Sequence, residues 1–200
     1  SDELAQVLKI ISLHDSTARY IATKLCRRFI ADEPPEAAVK TVAKWFQDSD
    51  GDIRQTLRSL FHTPEFKASR GDKLKRPFNY VVSALRATDA RTDGKERITD
   101  YLVRMGHAPY QFPTPDGYPE EAAPWMGTLL WRWNFAVRLA EGKLKGTLID
   151  PAGHRAKFDT RRHAAAAMLG RTPSPDEVAE FKQSENPLAL TLASPGFQMC

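Results

Sequence analysis

The sequence has few cysteines and no long hydrophobic run. Its 200 residues include only two cysteines, Cys26 and Cys200, which are too few for a disulfide framework or a cysteine-based zinc site. No apolar stretch approaches the ~20 residues that a membrane span needs, so we predict no membrane span. A chain of this length can bury enough apolar surface to fold without disulfides or metals.

Several sequence motifs of enzymes are also missing. There is no glycine-rich phosphate loop, no Gly-x-Ser-x-Gly, no set of kinase motifs and no Cys-x-x-Cys. The histidines show no spacing typical of metal sites, although any one of them can still serve in binding or catalysis. We therefore predict no cofactor and no metal ion, and leave open whether the protein is an enzyme. The histidines are His14, His62, His107, His154 and His163.

The charge of the chain is mildly basic. Its 29 Lys and Arg residues and 25 Asp and Glu residues give a net charge of +4. These basic residues are spread through the sequence, whereas nucleic-acid-binding domains concentrate their positive charge on one face. We therefore predict that nucleic acid is not a partner.

One acidic segment has part of the pattern of a calcium-binding loop. Asp48, Asp50 and Asp52 occupy the first, third and fifth positions of an EF-hand loop. The sixth and twelfth positions, which require Gly and Glu, are Ile53 and Ser59. We therefore interpret the segment as a turn at Asp50 followed by a helix that Asp52 caps.

Apolar residues recur at helical spacing along almost the whole chain. We predict an all-α fold, a compact multi-helix domain of about 8–10 helices, that spans residues 1–200, with a possible subdivision into a main helical body, 1–141, and a C-terminal helical extension, 142–200. The second helix is expected to begin after His14, with Asp15 or Ser16 as its N-cap. Only residues 143–159 suggest a β-hairpin. One shared core is predicted to contain Leu25, Phe29, Phe46, Leu57, Leu60, Val82 and Leu85.

A proline-rich segment, residues 106–124, separates two predicted helices. Its five prolines reduce the entropy lost on ordering the segment, so we predict an ordered loop. Asp116-Gly117 is expected to form a turn, and the hydroxyl of Tyr118 is expected to reach a backbone group or Asn134. In the helix that follows, one face is expected to be core. It contains Trp125, Leu129, Trp133, Ala136 and Ala140.

Aromatic and polar side chains of this loop are candidates for a ligand site, because ordered irregular loops can hold polar groups toward a cleft. Asn134, a polar residue in an apolar helix, and His14, just before a helix, are further candidates. The candidate ligand-binding residues are Tyr110, Phe112, Asp116, Tyr118, Asn134 and His14.

Several segments together resemble a known family. They include "HDSTARYIATKLCRRFIADEPP", "DGDIRQTLRSLFHTPEF", "KLKRPFNYVVSALRA", "GHAPYQFPTPDGYP", "WRWNFAVRLA" and "LASPGFQ". In this order they resemble the C-terminal part of the bacterial domain-of-unknown-function family 1800. The resemblance implies no catalytic residue. It implies a longer parent protein, of which this chain lacks the N-terminal part, and a periplasmic or extracellular location.

Two functions remain open at this point. In the first, the chain is a helical binding or scaffolding module that supports the missing N-terminal part, with the rest of the parent chain or another protein as its partner. In the second, it forms part of an enzyme site, such as that of a hydrolase, walled by residues 106–124.

Overall fold

The computed structural model describes residues 2–160 and 164–200, and most of them lie in α-helices. Within these ranges β-structure is limited to one antiparallel pair of short strands, β1 (Arg91–Thr92) and β2 (Thr147–Leu148), and one isolated bridge between Leu74 and Met199. The predicted all-α fold is confirmed. His163, one of the histidines considered above, lies outside the described residues.

The chain divides into two compact units, Ser1–Lys73 and Leu74–Cys200. The predicted boundary at residue 141 falls inside the second unit, and that subdivision stays a prediction. None of the helices in the described ranges is both long enough and apolar enough to cross a membrane.

The first unit is built from five helices. Its core cluster is formed mainly by small and branched side chains of α2 and α3, with the fully buried Leu60 of α4. No residue of α1 is buried. The helices are α1 (Asp2–Ser12), α2 (Asp15–Phe29), α3 (Glu36–Asp48), α4 (Ile53–His62) and α5 (Pro64–Ala68).

Side chains next to the helix starts satisfy the free backbone N–H groups of the first turns. The predicted cap by Asp52 is confirmed, because its carboxylate accepts the N–H of Gln55 at 2.9 Å. The predicted cap of α2 is wrong by one residue. His14 itself is the N-cap, and its Nδ1 accepts the N–H of Ser16 at 3.1 Å, since an imidazole nitrogen without a proton serves as an acceptor.

The second unit contains eight α-helices in its described residues and one 3₁₀ helix. Five of these α-helices begin with proline, because the N–H that proline lacks would have no intrahelical acceptor at that position. The helices are α6 (Pro77–Ala87), α7 (Glu96–Arg104), the 3₁₀ helix (Ala123–Thr128), α8 (Leu129–Ala140), α9 (Pro151–Thr160), α10 (Ala164–Leu169), α11 (Pro175–Gln183), α12 (Pro187–Ala193) and α13 (Pro195–Gln198).

The hairpin expected at residues 143–159 is wrong. Its first half supplies β2, which pairs with β1 far away in the sequence, and its second half is part of α9. Pro151 stands at the first position of α9, where its fixed φ favours a helix start over a continued strand.

The prediction of one shared core is also wrong, because buried apolar residues form two clusters, one within each unit. Leu60 belongs to the cluster of the first unit and Leu25 packs against it, whereas Leu85 packs against the cluster of the second unit. Phe29 is 38% exposed and Leu57 is half-buried. Helical periodicity identifies an apolar stripe, but it does not say which stripes meet.

The buried face of α8 differs from the predicted one. Trp125 is buried, but Leu129 and Trp133 are 46% and 49% exposed. Ala136 and Ala140, which belong to the same predicted stripe, are buried, so the stripe is buried only in part. A step of four residues turns about 40° beyond one full turn of a 3.6-residue helix, so Leu129 and Trp133 lie progressively off the side on which Phe135 and Leu139 are buried. The buried residues of α8 are Arg132, Phe135, Ala136, Leu139 and Ala140.

Candidate functional site

The proline-rich loop packs on itself through aromatic rings. The ring of His107 stacks on Trp125 at 5.0 Å between centroids, and Tyr118 meets His107 edge-on at 4.4 Å. Phe112 lies 4.7 Å from Tyr118. The hydroxyl of Tyr118 donates a hydrogen bond to the carbonyl of Ala108 at 2.6 Å, which confirms that this hydroxyl reaches a backbone group. The loop is therefore closed on its own first residues.

His107 is the buried centre of this aromatic cluster. It is 8% exposed, and its Nδ1 accepts the backbone N–H of Phe78 at 3.2 Å. Burial, together with the nearby positive charge of Arg76, lowers the pKa of His107 to about 4. The imidazole is therefore neutral at pH 7, as an acceptor for Phe78 requires.

The expected turn at Asp116-Gly117 is confirmed. The carbonyl of Thr114 accepts the N–H of Gly117 at 3.4 Å, and Gly117 has φ of +77°, a conformation that glycine adopts without strain. Asp116 is exposed. Tyr110 is fully exposed and has φ of +61°.

The loop candidates meet only in part. Phe112 and Tyr118 line one side of a shallow groove of about 460 Å³, and Arg104, Trp125 and Thr128 line it from α7 and the 3₁₀ helix. Tyr110 and Asp116 do not line this groove. We call it the loop groove.

The structure brings Asn134 into a different groove, of about 510 Å³, which we call the basic groove. Residues of α7 line it at intervals of three and four positions, and so do residues of α8, which places each set on one helix face. The segment after α8 completes it. The lining residues are Arg97, Asp100, Tyr101, Arg104, Trp131, Asn134, Arg138, Lys143, Leu144 and Lys145.

The basic groove concentrates positive charge. It has five basic side chains, all exposed, and one carboxylate, that of Asp100, so its lining carries an excess of four positive charges. Asp100 pairs with Arg104 at 2.9 Å and Lys143 pairs with Glu141 at 3.0 Å. The whole chain has a net charge of +4, so charges outside this groove cancel.

Tyr101, at the buried floor of the groove, lies close to several of these charges. Burial raises the pKa of its hydroxyl, while the positive charges of Arg138, Arg104 and Arg97 act in the opposite direction. One buried ring therefore lies within the electrostatic reach of three guanidinium groups of the groove.

Arg104 lines both the loop groove and the basic groove, so these two grooves adjoin at its side chain. Its guanidinium lies 4.6 Å from the centre of the Trp131 ring, an arrangement in which a cation is attracted by the aromatic face. The aromatic loop and the basic groove are therefore neighbouring parts of one surface.

Sequence reasoning missed this charge concentration, because Arg97, Arg104, Arg138, Lys143 and Lys145 are scattered over about 50 residues. One signal was available. Arg97 and Arg104 are seven residues apart in a predicted helix, which places them on the same face two turns apart.

Sequence reasoning also missed a fully buried arginine in α8. Arg132 is 0% exposed, and it donates hydrogen bonds to Gln198 at 2.8 Å and to Thr128 at 3.0 Å. Burial lowers the pKa of Arg132 to about 10, so it is still charged at pH 7. Its polar contacts join α8 to the residues at the end of the chain.

The other sequence candidates take structural positions. His14 caps α2 from an exposed position. Asp52 caps α4, and hydrogen bonding to Gln55 lowers its pKa. In the part of the chain that the structure describes, no group of three or more His, Cys, Asp or Glu residues could hold a metal ion.

Comparison with known proteins gives one family and no individual relative. No curated protein and no solved structure matched the chain. The sequence profile of the family described as "Protein of unknown function (DUF1800)" matches residues 1–199. The match covers nearly the whole chain and agrees with the resemblance noted from the sequence segments. The chain therefore belongs to the DUF1800 family.

Proposed function

We propose that this protein is a binding module that holds an acidic ligand in the basic groove of its second unit. The observation that carries this proposal is the excess of four positive charges in one groove, in a chain whose net charge is +4. A groove lined by charges of one sign raises the local concentration of ligands of the opposite sign.

The groove also has the features that turn attraction into binding. Arg side chains bind carboxylate and phosphate groups through two parallel hydrogen bonds, and three arginines line it. Asn134 is half-buried there and offers both a donor and an acceptor. Because the cations are exposed, we expect binding to weaken as salt screens them.

The other functions considered from the sequence stay predictions. A scaffolding role requires that the ligand be part of a longer parent chain, and an acidic segment of that chain would suit this groove. A hydrolase site walled by residues 106–124 requires groups that carry out a reaction. The charges of the basic groove support binding of a ligand but do not indicate which reaction would follow.

A titration with simple acidic probes tests the proposal. We would measure binding of citrate and of a tetra-aspartate peptide by calorimetry, at low salt and again at high salt. The test variant is Arg97→Gln/Arg138→Gln/Lys145→Gln, which removes three charges from the groove. The matched control, Lys9→Gln/Lys44→Gln/Arg54→Gln, removes three exposed charges from the first unit.

We expect at least one probe to bind the native chain, with an affinity that falls with salt. The groove variant should lose about tenfold or more in affinity, and the control should retain most of it. If neither probe binds the native chain, or if the two variants lose equal amounts of affinity, the proposal is contradicted.

A further inference from the structure

A row of exposed apolar side chains runs along α8 beside the basic groove. It begins in the 3₁₀ helix and continues into α8, with exposed fractions from 46% for Leu129 to 66% for Leu130. Its spacing of three and four residues places the members on one face of the helix. We call this row the apolar stripe. Its members are Met126, Leu129, Leu130 and Trp133.

The apolar stripe and the basic groove adjoin on α8. Asn134 lines the groove and follows Leu130 by four residues, so these two side chains are neighbours on the helix surface. Trp131 and Arg138 line the groove from the same helix, about a third of a turn around α8 from the centre of the stripe. The solvent-facing side of α8 is therefore divided between the apolar stripe and one wall of the basic groove.

We propose that this surface binds an acidic amphipathic helix of a protein partner, an inference that rests on the function proposed above. The partner helix lays its apolar face on the apolar stripe and directs the carboxylates beside that face into the basic groove. Contiguous exposed apolar patches with polar rims mark interaction sites on proteins. The excess of four positive charges next to this patch selects a partner of the opposite sign.

Ligands that are acidic throughout use only part of this surface. A small anion or an acidic saccharide contacts the cations through hydrogen bonds and leaves the leucines of the stripe in water. A nucleic-acid strand carries a phosphate at every nucleotide and stacks its bases on aromatic rings, whereas three of the four residues of the stripe are not aromatic. Because burial of apolar side chains is favourable, a ligand with both apolar and acidic groups uses this surface most fully.

A helical partner suits the apolar stripe better than an extended one. Backbone N–H and C=O groups that lose contact with water need hydrogen-bond partners, and the side chains of Leu129 and Leu130 offer none. A helix satisfies its backbone groups internally. Its own side chains at intervals of three and four then pack between those of α8, as in other contacts between helices.

An anionic membrane surface also combines negative charge with an apolar phase, but the geometry disfavours it. A flat surface that faces the centre of the apolar stripe is directed about a third of a turn away from the groove side of α8. The five cations also line a concave groove. The side chains on the flank of a helix enter such a groove, whereas a flat surface lies across its rim.

Synthetic peptides of defined pattern test the inference. The probe has about 18 residues, long enough to form a helix, with leucines at intervals of three and four and glutamates beside them. One control peptide has the same composition with the leucines distributed around the helix, and a second has lysines in place of the glutamates. By fluorescence anisotropy we expect the probe to bind the native chain at least about tenfold more tightly than either control. Equal affinity for the probe and either control would overturn the inference.

Variants of the protein test the assignment of residues. Met126→Gln/Leu130→Gln changes the two most exposed members of the stripe, and Leu4→Gln/Ile10→Gln is the matched control at similarly exposed apolar positions of α1. The stripe variant should lose about tenfold in affinity for the probe, and the control should stay within about twofold of the native chain. The groove variant described above should also lose about tenfold. An unchanged affinity in the stripe variant or in the groove variant would overturn the assignment.

Circular dichroism checks that each of these variants is folded. Should the double change in the stripe unfold the protein, Leu130→Gln alone, at the most exposed position of the stripe, takes its place. This single change should lower the affinity for the probe about threefold, and an unchanged affinity would count against the inference in the same way.

Other occupants of the stripe give different results. If vesicles of phosphatidylglycerol bind the native chain and the probe peptide does not, the surface faces a membrane and the inference is wrong. It is also wrong if the native chain is a dimer in sedimentation equilibrium and Met126→Gln/Leu130→Gln makes it a monomer, because a second copy then covers the stripe.

The two proposals fail in different ways. If citrate or tetra-aspartate binds the groove and the leucine pattern of the peptide adds no affinity, the acidic-ligand function stands and the helix inference is wrong. If no acidic probe of either kind binds, both are wrong.

Discussion

The hydroxyl of Tyr118 donates a hydrogen bond to the carbonyl of Ala108 across 2.6 Å, so two residues ten positions apart hold the proline-rich loop closed. The ring of Tyr118 also contacts His107 and Phe112. This side chain therefore stabilises the loop both by burial and by a hydrogen bond, and the two contributions can be separated.

Two substitutions at Tyr118 should differ in their effect on stability. Tyr118→Phe removes only the hydrogen bond and should lower the free energy of unfolding by about 0.5–1.5 kcal/mol. Tyr118→Ala also removes the ring and should cost about 1.5–3 kcal/mol. Urea unfolding followed by tryptophan fluorescence measures both. Gln111→Ala, at an exposed loop position, is the control and should stay within about 0.5 kcal/mol. An unchanged stability in both Tyr118 variants would contradict the packing described here.

A substitution at Tyr110, in contrast, should raise the free energy of unfolding. Its φ of +61° is unfavourable for a side chain with a Cβ atom, and it is fully exposed. Tyr110→Gly should therefore raise the free energy of unfolding by about 0.5–1 kcal/mol, after the added entropy of glycine in the unfolded chain is subtracted. Tyr110→Ala keeps the Cβ atom and serves as the matched control. A glycine variant less stable than the alanine variant would show that the backbone here is not strained.

The sequence identified features whose causes are local. The cap by Asp52, the turn at Gly117 and the formation of helices all depend on a few neighbouring residues, and the structure has each of them. Gly117, for example, has a φ of +77° at the end of the turn that begins at Thr114, and glycine adopts a positive φ without strain.

Features that depend on tertiary packing could not be predicted in this way. Arg97 and Arg138 are 41 positions apart, so their shared groove depends on how α7 and α8 meet. The exposed position of Trp133 depends on which side of α8 the neighbouring helices cover, because Phe135 and Ala136 of the same helix are buried. Periodicity alone contains neither fact.

Leu57 and Leu60 on α4 provide a direct test of this distinction. Both lie on the apolar stripe, but Leu60 is fully buried while Leu57 is half-buried. Leu60→Ala should lower the free energy of unfolding by about 2–5 kcal/mol, because it leaves a cavity. Leu57→Ala should cost less, about 1–2 kcal/mol, since the site can be filled by water. Chemical denaturation of both variants measures the difference, and a greater loss at Leu57 would contradict the assignment of the core.

The stability of the second unit should depend on the protonation of His107. Burial and the charge of Arg76 lower its pKa from 6.5 to about 4, with Arg132 acting in the same direction and Glu120 in the opposite one. In the unfolded chain the imidazole has its ordinary pKa of about 6.5. Between pH 6.5 and pH 4 the unfolded chain therefore binds a proton that the folded chain does not. The free energy of unfolding is therefore unaffected by His107 titration above pH 6.5, and it decreases as the pH falls from 6.5 toward 4.

The expected loss from this one group between pH 7 and pH 4.5 is about 2–3 kcal/mol. His107→Gln removes the titrating group. Between pH 7 and pH 4.5 the variant should therefore lose about 2–3 kcal/mol less stability than the native chain. His62→Gln replaces an exposed histidine of the first unit and should keep the native pH dependence. Urea unfolding at the two pH values, followed by tryptophan fluorescence, measures the difference between the variants. Carboxylates that titrate in the same range contribute to every chain alike, so they cancel in that difference. If the stability of the native chain and that of His107→Gln depend on pH in the same way, the pKa of His107 is not lowered by folding. The aromatic cluster then does not bury the imidazole.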